Sequence, residues 1–254
     1  MNTHLWTEHF RANLRSFTEP SLPPGGCPLP DQIRRPLVRS LGIFQLGESG
    51  GGTRLMRYVR QVVNGERLRG YEDAVGFFIA EEQYHSDLLG RVVDYLGGER
   101  LQKQWSNSIF RWLRNHFGVE FNIQILLIAE LIAEAYFGLF YRRCTDATLR
   151  ACCHKILSDE MRHIDFHAEF LRERFEEKPA MWRTLWRAQF RVFNLAACAL
   201  VAWDHRGCFR ALGLSPWSFA RMAAKTGSRF LRRLERPHTL WLARPQPESS
   251  AGNT

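Results

Sequence analysis

The chain has 254 residues, is 45% hydrophobic and 13% aromatic, and carries a formal net charge of +9. A chain of this length and apolar content can bury the core of one domain of moderate size. Its six cysteines show no zinc-like or disulfide-like spacing, so reduced thiols in a cytoplasmic protein are expected. No apolar stretch of about 18 residues is free of charge and the start does not resemble a secretory signal, so neither a transmembrane segment nor secretion is predicted.

Residues 1–34 are predicted to form an N-terminal arm. A short amphipathic segment there is followed by the Pro- and Gly-containing run 20–26, which favours a loop. From residue 35 onward, apolar residues recur in steps of three and four without alternating strand patterns, which predicts an all-α fold. Residues 35–178 are expected to form a four-helix bundle.

The bundle is predicted to consist of two antiparallel helix pairs joined by a crossover. A polar break at 64–66 divides the first pair, and the polar stretch 145–148 divides the second. The crossover is expected over 98–118. The predicted helices span 35–64, 68–97, 119–143 and 146–176.

Two Glu-x-x-His motifs lie on inward stripes of the predicted helices, Glu82 with His85 and Glu160 with His163. Residues three apart on a helix share a face, so each motif offers a carboxylate and an imidazole to one point in space. Two such motifs, together with a lone Glu on each of two further helices, are the ligand set of a carboxylate-bridged di-metal site. Burying these acids would be costly without a charge partner, and a metal cluster would supply one.

The lone acids are predicted to be Glu48 and Glu130. Each lies about as far before its helix-pair turn as a motif lies after it, so the acids and motifs are expected at the same height. Glu134, one turn closer to the second turn, is the weaker alternative, with a role beside the ligands or facing the substrate otherwise. The glycine-rich run 47–52 is expected to break, bend or loosen the first helix at Glu48.

Acids also precede each motif, and they are expected to support the histidines of the opposite helix. A metal-bound histidine usually donates its other N–H to a carboxylate. Asp159 is therefore predicted to bond His85, and Glu81 to bond His163.

Further candidate catalytic residues are His167 and Tyr136. His167 lies one turn beyond His163, and could be a hydrogen-bonded core histidine, an extra ligand or a proton donor to dioxygen. Tyr136 and Tyr84 lie near the ligands in sequence, where packing or hydrogen bonding fits them better than radical chemistry.

The pattern of Glu48, Glu82 with His85, Glu130, and Asp159 and Glu160 with His163 resembles the ferritin-like di-iron carboxylate superfamily. That superfamily includes rubrerythrins, the ribonucleotide reductase small subunit, multicomponent monooxygenases, aldehyde-deformylating oxygenases and N-oxygenases. The resemblance covers roughly residues 35–175. It implies a ferritin-like four-helix bundle and two iron ions per chain, and carboxylate and imidazole donors suit iron or a mixed manganese–iron pair.

Residues 179–238 are predicted to add helices at 181–205 and 215–235 that pack on the bundle, and 239–254 to form a disordered tail. Ser215 and Pro216 fit the cap and first turn of the second helix. An apolar helix here could wall off a substrate channel or form a homodimer interface. The basic residues crowded after position 205 fit a solvated face, peripheral contact with an anionic membrane, an acidic partner protein or an acidic substrate carrier. No motif supports nucleic-acid binding.

Three classes of function remain open. The first is an oxygenase or oxidase that activates O2 to hydroxylate, N-oxygenate, desaturate or cleave a mainly apolar, free or carrier-bound substrate, with electrons from a separate reductase or ferredoxin. The second is a peroxidase or ferroxidase of rubrerythrin or ferritin type, although a rubredoxin-like Cys pair is absent from the sequence. The third is a non-catalytic helical interaction protein.

Overall fold

A computed structural model describes residues 1–18, 20–50, 52–62, 68–106, 108–109 and 119–234. Within those residues, all the regular secondary structure is helical, as predicted. The helices in chain order are α1 (Thr3–Arg15), α2 (Asp31–Glu48), α3 (Thr53–Val62), α4 (Tyr71–Tyr95), α5 (Val119–Arg143), α6 (Ala147–Glu176), α7 (Ala180–Asp204), α8 (Arg206–Ala211) and α9 (Pro216–Leu234).

The bundle is formed by α2 with α3, α4, α5 and α6, where α2 packs on α4 and α5 packs on α6. α4 presents a stripe that includes Phe78, His85 and Leu89 to the interior, at the three-and-four spacing expected of a buried helical face. α6 starts at a capped end, where the side chain of Asp146 accepts a hydrogen bond from the Leu149 N–H at 2.8 Å.

The first helix of the bundle is divided, and it does not run unbroken over 35–64. α2 begins at Asp31, inside the segment predicted as an arm, and ends at Glu48. α3 begins at Thr53, after Gly52 with a φ of +62°. A left-handed residue cannot continue a right-handed helix, so the chain turns there. The predicted turn at 64–66 lies outside the described residues, as do residues 107 and 110–118 of the crossover.

The N-terminal segment contributes a helix to the core. α1 packs against α4, and its Trp6 and Phe10 are fully buried. Trp6 Nε1 donates a hydrogen bond to Glu169 Oε2 at 2.8 Å. The segment predicted as an N-terminal arm therefore contains a helix, α1, that packs on the bundle.

The C-terminal helices pack on the bundle at the predicted positions. α7 buries a face that includes Trp186, Phe190 and Asn194, and α9 packs against both α7 and α5. The Ser218 N–H donates to Ser215 Oγ at 3.3 Å, as expected for a capping residue. The predicted tail at 239–254 lies outside the described residues.

One helix in the described chain, α5, is long and apolar enough to cross a membrane by length and composition alone. Most of that stretch is buried inside the bundle. α5 also contains Glu130 on its inward face, 5% exposed. These features are those of the central helix of a packed core.

Candidate metal centre

Both Glu-x-x-His motifs point to one place inside the bundle. One donor atom from each of Glu82, His85, Glu160 and His163 lies within 4.8 Å of the others. Both histidines and Glu160 are buried, with exposed fractions of 1% or less. α4 and α6 pack against each other, and the three-residue spacing of each motif turns both of its side chains toward the neighbouring helix.

The lone acids complete this group. Glu130 Oε2 lies 3.5 Å from His163 Nδ1. Glu48, the last residue of α2, is close enough to Glu82 for the two carboxyl groups to share a hydrogen bond. The structure thus brings all six predicted ligands together from four helices.

The donor atoms of the cluster fit a bound cation. Buried atoms without an acceptable hydrogen bond include Nδ1 of both histidines and both carboxylate oxygens of Glu160. His163 Nδ1 lies 2.8 Å from Glu82 Oε1, yet the geometry is not that of a hydrogen bond. Buried polar atoms normally have partners, and a metal ion between them would satisfy the whole set.

The histidines are held from behind by acids, in the crosswise arrangement expected from the sequence. His85 Nε2 lies 3.0 Å from Asp159 Oδ2, and His163 Nε2 lies 2.9 Å from Glu81 Oε2. An Nε2–H that donates to a carboxylate leaves the Nδ1 lone pair facing the cluster. That tautomer is the one a metal ligand needs.

Asn13 and Lys155 are functional candidates that the sequence-based interpretation missed. The Asn13 Nδ2 donates to Asp159 Oδ1 at 3.0 Å and also to Glu81 Oε1. The Lys155 ammonium donates to Asp159. The spacing of Trp6, Phe10 and Asn13 on α1 follows an inward stripe, and this was the signal available for Asn13.

Burial and crowding of acids shape the protonation of the cluster. Burial, with the charge of Glu82, raises the pKa of Glu48 well above its usual range. Burial, with the charge of Glu130, raises the pKa of Glu160 to about 8. Burial likewise opposes ionisation of Glu82 and Glu130, but the neighbouring carboxyl groups and the His163 ring lower the pKa of each.

The histidines respond in the opposite direction. Burial alone would lower the pKa of His85, but the hydrogen bond with Asp159 and the nearby carboxylate of Glu160 raise it to about 10. The acids around His163 raise its pKa well above the usual value against the same effect of burial. The cluster is therefore an environment that favours positive charge, whether from protons or from metal ions.

Comparisons with known proteins address the fold. No protein-family model matches the chain, and no curated protein matches it in sequence. A solved protein from Synechococcus with aldehyde deformylating oxidase activity matches the structure with a TM-score of 0.64 and 16% sequence identity. The match covers 82% of this chain and 93% of the other chain. The chain has a ferritin-like fold. At this identity the likeness concerns the fold, and the candidate site rests on its own geometry.

Within the ferritin-like bundle, Glu130 and Glu134 have different surroundings. Glu130 reaches the cluster and also lies 3.7 Å from His167 Nε2. Burial raises the pKa of Glu134, whose charged neighbours include Arg229 and Arg233 rather than the six ligand candidates. The geometry therefore favours Glu130 as the cluster acid and gives Glu134 no direct part in holding the ligands.

His167 and Tyr136 are also placed differently. His167 is buried beside Glu130, and neither of its ring nitrogens has a hydrogen bond of acceptable geometry. The hydroxyl of Tyr136 lies 2.6 Å from Ser40 Oγ, and its ring stacks on Phe44 at 4.0 Å. In the described residues, none of its hydrogen bonds or ring contacts reaches a ligand candidate, so its position fits packing and hydrogen bonding rather than catalysis.

Tyr84 lies at the surface of the ferritin-like bundle. Its side chain is 39% exposed and packs against Phe17 at 4.7 Å between ring centroids. This agrees with the expected packing role.

An apolar cavity of about 230 Å³ opens onto the cluster. Four of the ligand candidates, Glu48, Glu82, Glu130 and Glu160, contribute to its wall, and α5 and α7 supply most of its aliphatic lining. A second polar region contains Asp204 and His205. The remaining lining is mainly aliphatic and includes Ile43, Leu55, Ile79, Leu126, Ile132, Leu200 and Val201.

The second polar region is well ordered by hydrogen bonds. Asp204 accepts from Arg39 at 2.7 Å, Gln104 at 2.9 Å and Ser106 at 2.8 Å. His205 Nδ1 lies 2.7 Å from Ser40 Oγ, which is also the partner of the Tyr136 hydroxyl. The cavity therefore joins a candidate metal centre to a fixed polar group through an apolar interior.

Proposed function

We propose that this protein is a non-haem di-iron oxygenase or oxidase that activates O2 to oxidise a mainly apolar organic substrate. The observation that carries the proposal is the set of unsatisfied buried donor atoms at the wall of an apolar cavity. A candidate site for metal and a cavity suited to an organic molecule are thus adjacent. Pockets of this kind, with a few polar groups in an apolar wall, are typical of small-molecule sites.

The iron ions would be held by Glu48, Glu82, Glu130 and Glu160 with His85 and His163. When bound, a pair of iron ions supplies the electrons and coordination positions for reductive activation of O2. Carboxylate and imidazole donors suit iron, and the same set suits a manganese–iron pair. Glu81 and Asp159 would keep the two imidazoles in the tautomer that presents Nδ1.

The residues of the chain contribute positioning and exclusion of water. The aliphatic side chains of α5 and α7 in the cavity wall favour an apolar substrate and keep bulk water from the cluster. His167 can hold a proton at Nε2, 3.7 Å from Glu130 Oε1. We propose it as a proton donor beside Glu130, which itself lines the cavity.

The cavity favours an organic oxidation over a ferroxidase or peroxidase reaction. Iron oxidation alone needs a path for ions, whereas a mainly aliphatic wall serves an apolar molecule. The Synechococcus protein of similar fold has aldehyde deformylating oxidase activity, which supports the oxidase class. The buried donor atoms face one another without hydrogen-bond partners, and this argues against a purely structural role for the motifs.

Further partners are proposed on chemical grounds. The sequence contains no flavin or nicotinamide motif, so we propose that electrons come from a separate reductase or ferredoxin. The substrate would be free or carrier-bound. The six cysteines are unpaired, which supports the proposed cytoplasmic location.

Product analysis tests the proposal. Iron-loaded, chemically reduced protein is mixed with ¹⁸O2 and medium-chain aldehydes, amines, alcohols or acids, and the products are identified by mass spectrometry. We expect one substrate class to give an oxidised product that requires both iron and reductant. Oxygen consumption coupled only to iron oxidation, with every organic compound recovered unchanged, would instead establish the ferroxidase alternative.

A further inference from the structure

The outer face of α7 carries a continuous apolar stripe. Its members recur at helical spacing and are each 59–75% exposed. At 1.5 Å per residue the stripe extends about 33 Å along the helix. The large apolar residues on it are Met181, Leu185, Val192, Leu195 and Trp203.

This stripe is distinct from the face that α7 uses for packing. The buried residues Trp186, Phe190 and Asn194 lie on the inner side, against the bundle and α9. Single exposed apolar residues are ordinary, but a long contiguous row of them marks an interaction surface. The outer face of α7 is therefore built for contact with an apolar partner.

The segment that carries the stripe is almost entirely positive in charge. Residues 180–234 contain ten Lys and Arg side chains against one acid, Asp204, so this segment carries a net charge equal to that of the whole chain. Asp204 is itself buried and occupied by Arg39, Gln104 and Ser106. The exposed cations of the segment are Arg191, Arg206, Arg210, Arg221, Lys225, Arg229 and Arg232.

Two exposed tryptophans accompany the apolar stripe and the exposed cations. Trp203 ends the apolar stripe, and Arg206 stacks over its ring at 4.5 Å. Trp217 is 62% exposed in the first turn of α9, whose outward residues include Arg221 and Lys225. Tryptophan is enriched where a protein meets the boundary between lipid and water.

We propose that the outer face of α7, with the cations of α8 and α9, docks on the surface of an anionic lipid bilayer. Aliphatic and tryptophan side chains would enter the headgroup boundary, and Arg and Lys would pair with anionic headgroups. A second copy of the chain would bring the same positive charges together, which disfavours self-association through this face. Nucleic acid would match the charge and leave the aliphatic stripe exposed to water.

The inner side of α7 connects this surface with the proposed function, because it forms part of the cavity wall. Ala197, Leu200 and Val201 of the same helix line the cavity that opens onto the cluster. Docking would place one wall of the cavity against the lipid, from which an apolar molecule could enter. The docking itself requires no turnover, so it can be tested apart from the oxidation chemistry.

Vesicle flotation tests the docking with the full-length protein. We expect at least tenfold stronger binding to phosphatidylcholine vesicles that contain about 30 mol% phosphatidylglycerol than to phosphatidylcholine alone, because anionic headgroups attract the basic face. Raising the salt concentration from 0.05 to 0.5 M should weaken binding to the anionic vesicles. Protein that stays unbound to anionic vesicles at low salt would overturn the proposal.

Two variants separate the apolar and charged contributions. Leu185→Ser with Leu195→Ser removes part of the stripe, and Arg221→Gln with Lys225→Gln removes two cations; each pair is expected to weaken binding about tenfold or more. The matched controls are Leu5→Ser with Ile109→Ser and Arg54→Gln with Arg57→Gln, which change exposed residues elsewhere and should bind like the unaltered protein.

The remaining outcomes are also decisive. If the stripe variant binds as strongly as its control, attraction is electrostatic only and the apolar face has no part in docking. If light scattering shows a dimer that the stripe variant converts to a monomer, the face is an interface between copies and the lipid proposal is wrong. A salt-sensitive loss in both face variants, with both controls unchanged, supports it.

Discussion

Each candidate histidine is held by an acid, and both acids accept hydrogen bonds from the single amide of Asn13. Asn13 belongs to α1, so the N-terminal helix fixes the orientation of groups on α4 and α6 at once. The ring of Phe10, three residues earlier, lies 5.9 Å from the His163 ring. Partners behind metal-bound histidines commonly change metal affinity when they are removed.

Replacing Asn13 should therefore weaken iron binding without removing a ligand. Asn13→Leu keeps a similar size and removes both donated hydrogen bonds, and we expect about tenfold weaker binding of ferrous iron. Competition with a chelator measures the affinity, and circular dichroism checks that the helices persist. Glu8→Gln, an exposed change on the same helix, is the control, and equal affinities for the two variants would contradict the role given to Asn13.

The sequence predicted contacts between the helices of the bundle better than the contacts that other helices make with the bundle. Helical spacing and the antiparallel pairing of neighbouring helices predict the two histidine–acid pairs, His85 with Asp159 and His163 with Glu81. Both features can be recognised from the local sequence pattern. Asn13 escaped prediction because its contacts depend on where α1 docks. Ser40, Tyr136 and His205 were missed as a group for the same reason, since they meet across three separate segments.

The break between α2 and α3 is the element on which the position of Glu48 depends. Gly52 has a φ of +62°, and a Cβ there would meet the Ile79 side chain of α4. The glycine run predicted the weakness of the helix at this point. It left open whether the helix breaks, bends or loosens, because that depends on how the segment packs against α4.

Replacing Gly52 with alanine should therefore destabilise the folded protein. Gly52→Ala is expected to lower the free energy of unfolding by about 1–3 kcal/mol, because a left-handed conformation and a steric contact coincide. Gly25→Ala is the control, since nothing lies within 4 Å of a Cβ at that site. Denaturant titration measures both variants, and an unchanged unfolding midpoint for Gly52→Ala would contradict the proposed strain.

The junction of α7 and α8 contains a buried neutral histidine. Burial lowers the pKa of His205 to about 4, a change that nearby Arg39 reinforces and Asp204 opposes. Between pH 6.5 and 4 the unfolded chain gains a proton at this residue that the folded chain does not. The free energy of unfolding therefore falls as the pH falls through this window, and the contribution is fully present above it.

This predicts a difference between the unaltered protein and His205→Gln. From pH 7 to 4.5 the unaltered, metal-free protein should lose about 2–3 kcal/mol more of its unfolding free energy than the variant does. Urea unfolding at several pH values measures this slope. His4→Gln, at an exposed position, should keep the steeper slope, and parallel slopes for His205→Gln and the unaltered protein would exclude a neutral buried His205.

At the scale of the whole molecule, charge is segregated. Six ligand candidates, four of them acids, lie inside the ferritin-like bundle, and the excess positive charge lies on the C-terminal helices. Hydrophobic periodicity predicted the bundle and the added helices, because the spacing of apolar residues along the sequence identifies each helix. The sequence left open whether an added apolar helix walls off a substrate channel or forms an interface, since which face of α7 is covered depends on tertiary packing.

The central claim is that this interior charge holds a di-iron centre. The most direct measurement is iron per chain by plasma mass spectrometry, on protein produced with added iron, for the unaltered chain, Glu160→Ala and Glu134→Ala. We predict about two irons for the unaltered chain and for Glu134→Ala, and loss of most iron in folded Glu160→Ala. Folded, metal-free unaltered protein, or full retention of iron in Glu160→Ala, would contradict the claim.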